Sequence, residues 1–261
     1  MGVLRVMTWN VWWRFGPMWV ARHEVIGQTL RAVAPDVVAL QEVWGTRATN
    51  QVVALGAELG LYGAYAGPSY PPATDVARDP RDAGVEMGIG LLSRWEITGW
   101  RVVRMPARHR AFDPVAVVAT IAHPVAPLRV VVGCLEYDPA YNDDRLAQAA
   151  LLASLATDPA LDGPLPVVVA GDLNAPPDSP LLRPLSDVLT DAWVAGDGDP
   201  AVVTAPAEAG LELLGQRIDH VYFRPGMFNH PVMVTEASTA GDPVNGITPS
   251  DHRAVICSLG F

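Results

Sequence analysis

Seven polar residues stand where apolar runs begin or end, far apart in the chain: Asn10 in TWN, Glu42 in QEV, Asp172 and Asn174 in GDLN, Asp219 in RIDH, and Asp251 and His252 in SDHR. A single carboxylate at a strand end is ordinary. Several gathered together and buried unpaired would cost several kcal/mol. One hard cation held by oxygen ligands relieves that cost, with a histidine beside it. The pattern points to chemistry built on a metal ion and a proton-transfer group.

Each residue also has a plainer reading. Glu42 alone would be a solvated strand end, and Asn10 a turn former bonded to its own backbone. Asp172 and Asn174 share one side if their segment stays extended. Asp, Asn and the following Pro176 and Pro177 equally favour a turn, which could itself expose the pair. A histidine acting as a base needs a partner to fix its tautomer and stabilise its cation.

The ordered set TWN, QE, GIGLLSR (Gly88 to Arg94), GDLN, RIDH and SDH resembles the endonuclease/exonuclease/phosphatase superfamily, over a span from Val3 to Leu259. The resemblance implies the DNase I-like fold: α/β (α+β), a four-layer sandwich of two packed mixed β-sheets flanked by helices. It implies that Glu42 is the principal Mg²⁺ ligand, with Asp251 on the metal side. Asn10 would be a ligand, or a hydrogen-bonder to the glutamate and phosphate. Asp172 and Asn174 would orient the attacking water and contact a phosphate oxygen. Asp219 would be the partner of a catalytic His252, while His220 would be structural. Mn²⁺ has similar oxygen preferences and could substitute.

The chain departs from the family at one point. Many members carry a histidine in a T-H-L segment that contacts a phosphate oxygen; VVVGCLEYD puts Cys134 there. A neutral thiol is a poor replacement for a charge-assisted donor. Tyr137, Asn142 or an arginine of the Arg101–Arg110 stretch could make the contact instead. QEVWG and CLEYD lack the lysine and the Y-x-P-N segment of the family's AP endonucleases. LGQRIDH keeps only the end of the inositol polyphosphate phosphatase segment. The resulting expectation is a Mg²⁺-dependent phosphoesterase hydrolysing a phosphodiester of a small or lipid-like substrate. A DNA or RNA nuclease and a weakened metal- and phosphate-binding relic are the alternatives.

Charge bears on the partner. The net charge is −10 and every basic side chain among the 18 Lys plus Arg is arginine. Binding that depends on neutralising many duplex phosphates calls for a basic surface, so weak or no duplex DNA binding is expected. RVVRMPARHR, holding Arg101, Arg104, Arg108, His109 and Arg110, is either a solvated strand and turn or a local anion clamp. Trp12, Trp13, Trp19 and Trp44 follow TWN and QE closely. Core packing is their default, but at least one should reach the pocket rim and could stack a base or hold an acyl chain.

These residues must be positioned by the rest of the chain. A chain of 261 residues, half of them hydrophobic, is expected to form a single domain over 1–261 and to act as a monomer. No uncharged apolar run is long enough for a membrane span. A strand from Val3 leaves no room for a secretory leader, and a cytoplasmic location is expected. Cys134 and Cys257 lie in apolar runs and read as unpaired core residues. Strands are expected at Val3–Thr8, Val37–Leu40, Gly88–Leu92, Ile97–Val103, Val115–Ala122, Arg129–Leu135, Val167–Ala170, Ile218–Phe223 and Ala254–Ser258. Helices are expected at His23–Ala34, at Ala48–Leu59 with a stop at Gly60, and at Asp143–Ala156, where Arg145 and Gln148 share a face. Gly67 to Gly84 reads as a surface loop, and Pro176–Leu185 as a loop or short helix broken by Pro180 and Pro184. Continuous rather than alternating apolar runs imply helices over the sheet faces.

Overall fold

A computed structural model describes residues 2–69, 82–205, 215–227 and 231–261. In chain order the first half holds β1 (Val3–Asn10), α1 (Trp19–Val33), β2 (Val37–Gly45), α2 (Gln51–Leu59), β3 (Tyr62–Ala66), β4 (Glu86–Ser93), β5 (Ile97–Arg104) and β6 (Val115–Ile121). The second half holds β7 (Leu128–Cys134), α3 (Asn142–Ala156), β8 (Val167–Asp172), α4 (Arg183–Ser186), β9 (Thr190–Asp191), α5 (Ala192–Ala195), β10 (Asp219–Arg224), β11 (Met233–Ala240) and β12 (Ala254–Gly260). The strands form two mixed six-stranded sheets, ordered β11-β12-β1-β2-β4-β3 and β5-β6-β7-β8-β10-β9. The parallel pairs β1–β2 and β7–β8 lie inside their sheets.

The continuous apolar runs now have their reason. Successive strand residues point to opposite faces, and both faces of each sheet are covered. Val37 and Ala39 of β2 face the second sheet, against Val130, Val132, Val168 and Ala170. Val38 and Leu40 point the other way, onto Ile26 and Leu30 of α1 and Leu55 of α2. Val167 and Val169 face out under Leu152 of α3 and Leu185 of α4. The result is the expected helix–sheet–sheet–helix sandwich.

The helix ends shift for local reasons. α2 begins at Gln51 rather than Ala48, because the Asn50 side chain accepts from the Val53 N–H and caps the helix. Gly60 ends it at φ 69°, a left-handed stop that glycine accepts without strain. Pro180 and Pro184 do not break a helix. Each lies in the first turn of a short one, the 3-10 turn Pro180–Leu182 and α4, where a missing N–H is harmless. Three strands were not anticipated. β3, β9 and β11 are all edge strands, and none carries a long apolar run. Most of the Gly67 to Gly84 loop reading falls on residues 70–81, outside the described residues. Cys134 and Cys257 are buried and free. No helix among the described residues is long and apolar enough to cross a membrane.

One ion pair ties β9 to the segment leading into β10. Asp191 caps α5 by accepting from the Trp193 N–H at 2.9 Å and takes the Arg217 guanidinium at 2.6 Å. Burial pushes the Asp191 carboxyl up, but polar contacts from His220 and the charge of Arg217 outweigh it and hold the carboxyl at about 2. A folded-state value below the ordinary 3.8 means stability present above that pH and lost as pH falls through about 2. The shift corresponds to about 2 kcal/mol. Asp191→Asn keeps the cap but removes the charge. Urea unfolding should therefore show a deficit of that size at pH 7, shrinking as pH drops below 4 towards 2. An equal deficit at all pH values would contradict this assignment.

Candidate active site

All seven polar residues come to one end of the two sheets. Asn10 closes β1 beside Gln41 of the parallel β2. The next residue, Glu42, sits in an irregularity between Leu40 and Val43 in the β2–β4 pairing, with φ +54°. A left-handed non-glycine residue costs about 1–3 kcal/mol and persists only where its surroundings hold it. The holding contacts are clear. The Trp13 N–H donates to the Glu42 carbonyl at 2.8 Å, and the Asn10 Nδ2 donates to Glu42 Oε1 at 3.0 Å. The bulge aims the carboxylate out of the strand alternation.

Asp172 ends β8 between two partners in register, Cys134 on β7 and Asp219 on β10. Asn10 Nδ2 also donates to Asp172 Oδ2 at 3.1 Å, so one amide joins carboxylates from the two sheets. The Asn10 oxygen accepts from the Trp12 N–H at 3.0 Å. Asn10 is thus a hydrogen-bonding bridge between Glu42 and Asp172. Asn174 is not extended beside Asp172. It has φ +50°, its N–H donates to Asp172 Oδ1 at 3.0 Å, and its Nδ2 donates to the Leu135 carbonyl at 2.9 Å. The segment is a turn, and Asn174 braces it.

His252 precedes β12 and faces Asp219, its Nδ1 lying 2.9 Å from Asp219 Oδ2. The carboxylate assigns the proton to Nδ1. Nε2 is left 4.0 Å from Asp172 Oδ2. The Ser250 hydroxyl donates to the Asn10 carbonyl at 2.6 Å and accepts from the His252 N–H at 3.1 Å, so the SDH segment is fastened to β1. His220 does not join the group. Arg217 donates to its Nδ1 and its Nε2 donates to the Ala175 carbonyl, both at 2.9 Å, within the core.

The electrostatics are those of a crowded acidic cleft. Burial and the facing Asp251 push the Glu42 carboxyl up to about 7. Burial and Asp219 push Asp172 up to about 6. Burial raises Asp251 too, although its own surface opens to solvent. For His252 burial favours the neutral ring, but Asp219 and Asp172 outweigh it and favour the imidazolium. Asp219 Oδ1 is buried without a hydrogen-bond partner. Ligand atoms of Asp172, Asp219 and His252 lie within 4.8 Å of one another. Crowded hard oxygens whose affinity for positive charge is raised by burial and by one another are a donor set suited to a divalent cation.

Other expectations resolve differently. Cys134 lies beside Asp172, and burial together with Asp172, Glu42 and Asp219 pushes its thiol well up, so it stays a neutral SH. The basic stretch is largely spent within the protein. Arg108 and His109 pair with Asp143, and Arg110 forks onto Glu136 at 2.8 and 2.5 Å. Arg101 and Arg104 lie on the exposed β5. Tyr137 is under the Arg110 guanidinium, and Asn142 opens α3. Arg145 and Gln148 grip the Glu136 backbone, donating to its carbonyl at 2.6 Å and accepting from its N–H at 2.7 Å. Of the four tryptophans, Trp13 and Trp44 are core, Trp19 packs on Trp44, and Trp12 lines the cleft beside Asp251.

Arg22 escaped the sequence reading. It is 3% exposed, and its terminal nitrogens donate to the carbonyls of Val11, Trp12, Trp13, Phe15 and Pro249. It thereby fixes both loops that flank Glu42 and Asp251. The available signal was an arginine three and four residues before Val25 and Ile26, on the apolar stripe of α1.

A family model described as Endonuclease/Exonuclease/phosphatase family matches residues 7–252. No curated protein sequence matches the chain. Among solved structures, TDP2 of D. rerio complexed with a single-strand DNA product superposes with a TM-score of 0.77 at 17% identity, over 100% of both chains. The human Nocturnin catalytic domain with bound sulfate gives 0.76 at 21% identity, over 99% of this chain and 94% of that one. An endonuclease/exonuclease/phosphatase from Beutenbergia cavernae gives 0.72 at 23%, over 98% of this chain and 71% of that one.

Proposed function

Because the chain belongs to the endonuclease/exonuclease/phosphatase family of metal-dependent phosphoester hydrolases, we propose that it hydrolyses a phosphodiester of a small or lipid-like substrate, with Mg²⁺ as its ion and Mn²⁺ as a substitute. The observation that carries this reading is the Asp219–His252 pair at 2.9 Å, with Nε2 free to face Asp172 and the Asn10-bridged Glu42 alongside. Glu42 and Asp251 would hold the ion, and Asn10 would fix the Glu42 carboxylate. Bound there, a divalent ion supplies neutralisation of the phosphoryl charge. Asp172 would align the attacking water and accept its proton, a role its raised affinity for protons suits. His252, held by Asp219, would donate to a phosphoryl oxygen. Asn174 would brace the turn that presents Asp172.

Charge supports the substrate class. The protein is at −10, and Arg108, His109 and Arg110 are matched by carboxylates of Asp143 and Glu136. Little of that run is left to follow a polyanion backbone. The test is a panel: bis-(p-nitrophenyl) phosphate, p-nitrophenyl phosphate and a labelled 20-mer duplex, each with Mg²⁺ and Mn²⁺. The diester is expected to turn over fastest. Duplex binding should be weak, with a salt slope no steeper than about −4 even if four arginines engage. Sub-micromolar duplex binding at physiological salt with a steeper slope would replace this reading with a nuclease. No turnover of either ester would reduce the protein to a relic.

A further inference from the structure

A cleft of about 360 Å³ opens directly beside Asp251, lined among others by Trp12, Pro17, Met18, Arg22 and Ile247. Its volume falls within the range of small-molecule sites. Apart from the site-facing Asp251, its walls are largely apolar, and they come from the loop after β1 and the loop before Ser250. The first of these loops is held in a disfavoured shape. Trp12 and Met18 both have φ of 59°, left-handed values that side chains of this size avoid. Met18 is also 61% exposed, at no gain in burial. Strain kept in place by a buried clamp is a mark of a functional surface, and Arg22 is that clamp.

The charge of the cleft narrows its ligand. Arg22 is the one basic residue lining it, and both terminal nitrogens are engaged by the five backbone carbonyls. Its guanidinium also lies 4.6 Å from the Trp12 ring centroid, covering one face of that ring. An anionic group entering here would meet the Asp251 carboxylate, and of Arg22 only the buried Nε is without a partner. An alkyl or aryl group would meet Met18, Pro17, Ile247 and Trp12.

Resting on the phosphodiesterase reading of the adjacent site, we propose that this cleft binds an uncharged apolar ester group of the substrate, and that Met18 and Ile247 select for it. Arg22 acts as a positioning residue that shapes the wall. A second phosphate or other anion on that arm of the substrate is selected against.

The test is binding rather than turnover. Ethyl(methyl)phosphinate and hexyl(methyl)phosphinate are monoanions with two P–C bonds that hydrolysis cannot cleave. They are titrated calorimetrically into the Mg²⁺-supplemented protein. The hexyl compound should bind about tenfold tighter or more, because its added methylenes leave water. Met18→Asp should cut that ratio several-fold. Met18 is exposed, and Asp tolerates left-handed backbone better, so folding is retained. Ile247→Ala should cut the ratio as a second, independent variant. A ratio near one in the unaltered protein, an unchanged ratio in both variants, or no binding of either compound would each overturn the proposal. Turnover of bis-(p-nitrophenyl) phosphate on the same preparation then shows whether the phosphodiesterase reading falls with it.

Discussion

Glu42→Gln should abolish most activity while leaving the fold intact. The substitution preserves shape, the left-handed backbone and the partner for Asn10 Nδ2, because the glutamine Oε1 still accepts. It removes the charge that would attract a hard cation into a cleft already crowded by Asp251 and Asp172. The loss of metal-derived charge stabilisation is worth several kcal/mol, so kcat/KM on a phosphodiester should fall about a thousandfold or more. Thermal unfolding of the metal-free variant should be no lower than that of the metal-free parent. Relieving a buried like-charge contact removes a cost that no ion is then offsetting. A variant that kept a tenth of the activity would show that Glu42 is peripheral.

The second large effect belongs to the dyad. His252→Ala should lower kcat by about 10²–10⁴, the usual reach of a proton-transfer group. Asp219→Asn should also lower it, because an amide facing Nδ1 need not hold the same tautomer or stabilise the imidazolium. The double variant should lose much less than the product of the two, since residues that act as a unit are not additive. Circular dichroism of each variant guards against unfolding. Fully multiplicative losses would mean that Asp219 does not serve His252 and that its buried, unpartnered Oδ1 has some other purpose.

Much of this site was legible before any coordinates. Period and composition marked the central strands because those strands are buried on both faces and read as unbroken apolar runs. The polar residues that end them, Asn10, Asp172 and Asp219, stood out against that background. Strand ends carry over well from sequence because two in-register neighbours, such as Asp172 and Asp219, need only the right pairing to meet. What stayed hidden depends on contacts between distant segments. The bulge at Glu42 is set by the mismatch between β2 and β4 over Leu40 to Val43, which no local propensity announces. Arg108, His109 and Arg110 read either as a solvated turn or as an anion clamp, and only the fold shows α3 and the loop after β7 bringing Asp143 and Glu136 against them. Asn174 beside Asp172 reads either as one strand face or as a turn, and it is the turn's contact with a distant segment, the amide on the Leu135 carbonyl, that the sequence does not announce. Arg22 is a charged residue on a helix's apolar stripe, and its reason lies in carbonyls from two loops that the helix itself does not specify. The edge strands β3, β9 and β11 lack the long apolar runs that mark the central strands.

The proposed chemistry requires a divalent-metal centre at the Glu42 end of the cleft. Calorimetric titration of Mg²⁺ into the chelator-stripped protein, and into Glu42→Gln, tests it without relying on a substrate. The prediction is a saturable binding event in the parent at pH 7, accompanied by partial proton release because burial and Asp251 raise the Glu42 carboxyl to about 7, and loss of that event in the variant. The same isotherm in both proteins would contradict the assignment and leave the acidic cluster without the ion that explains it.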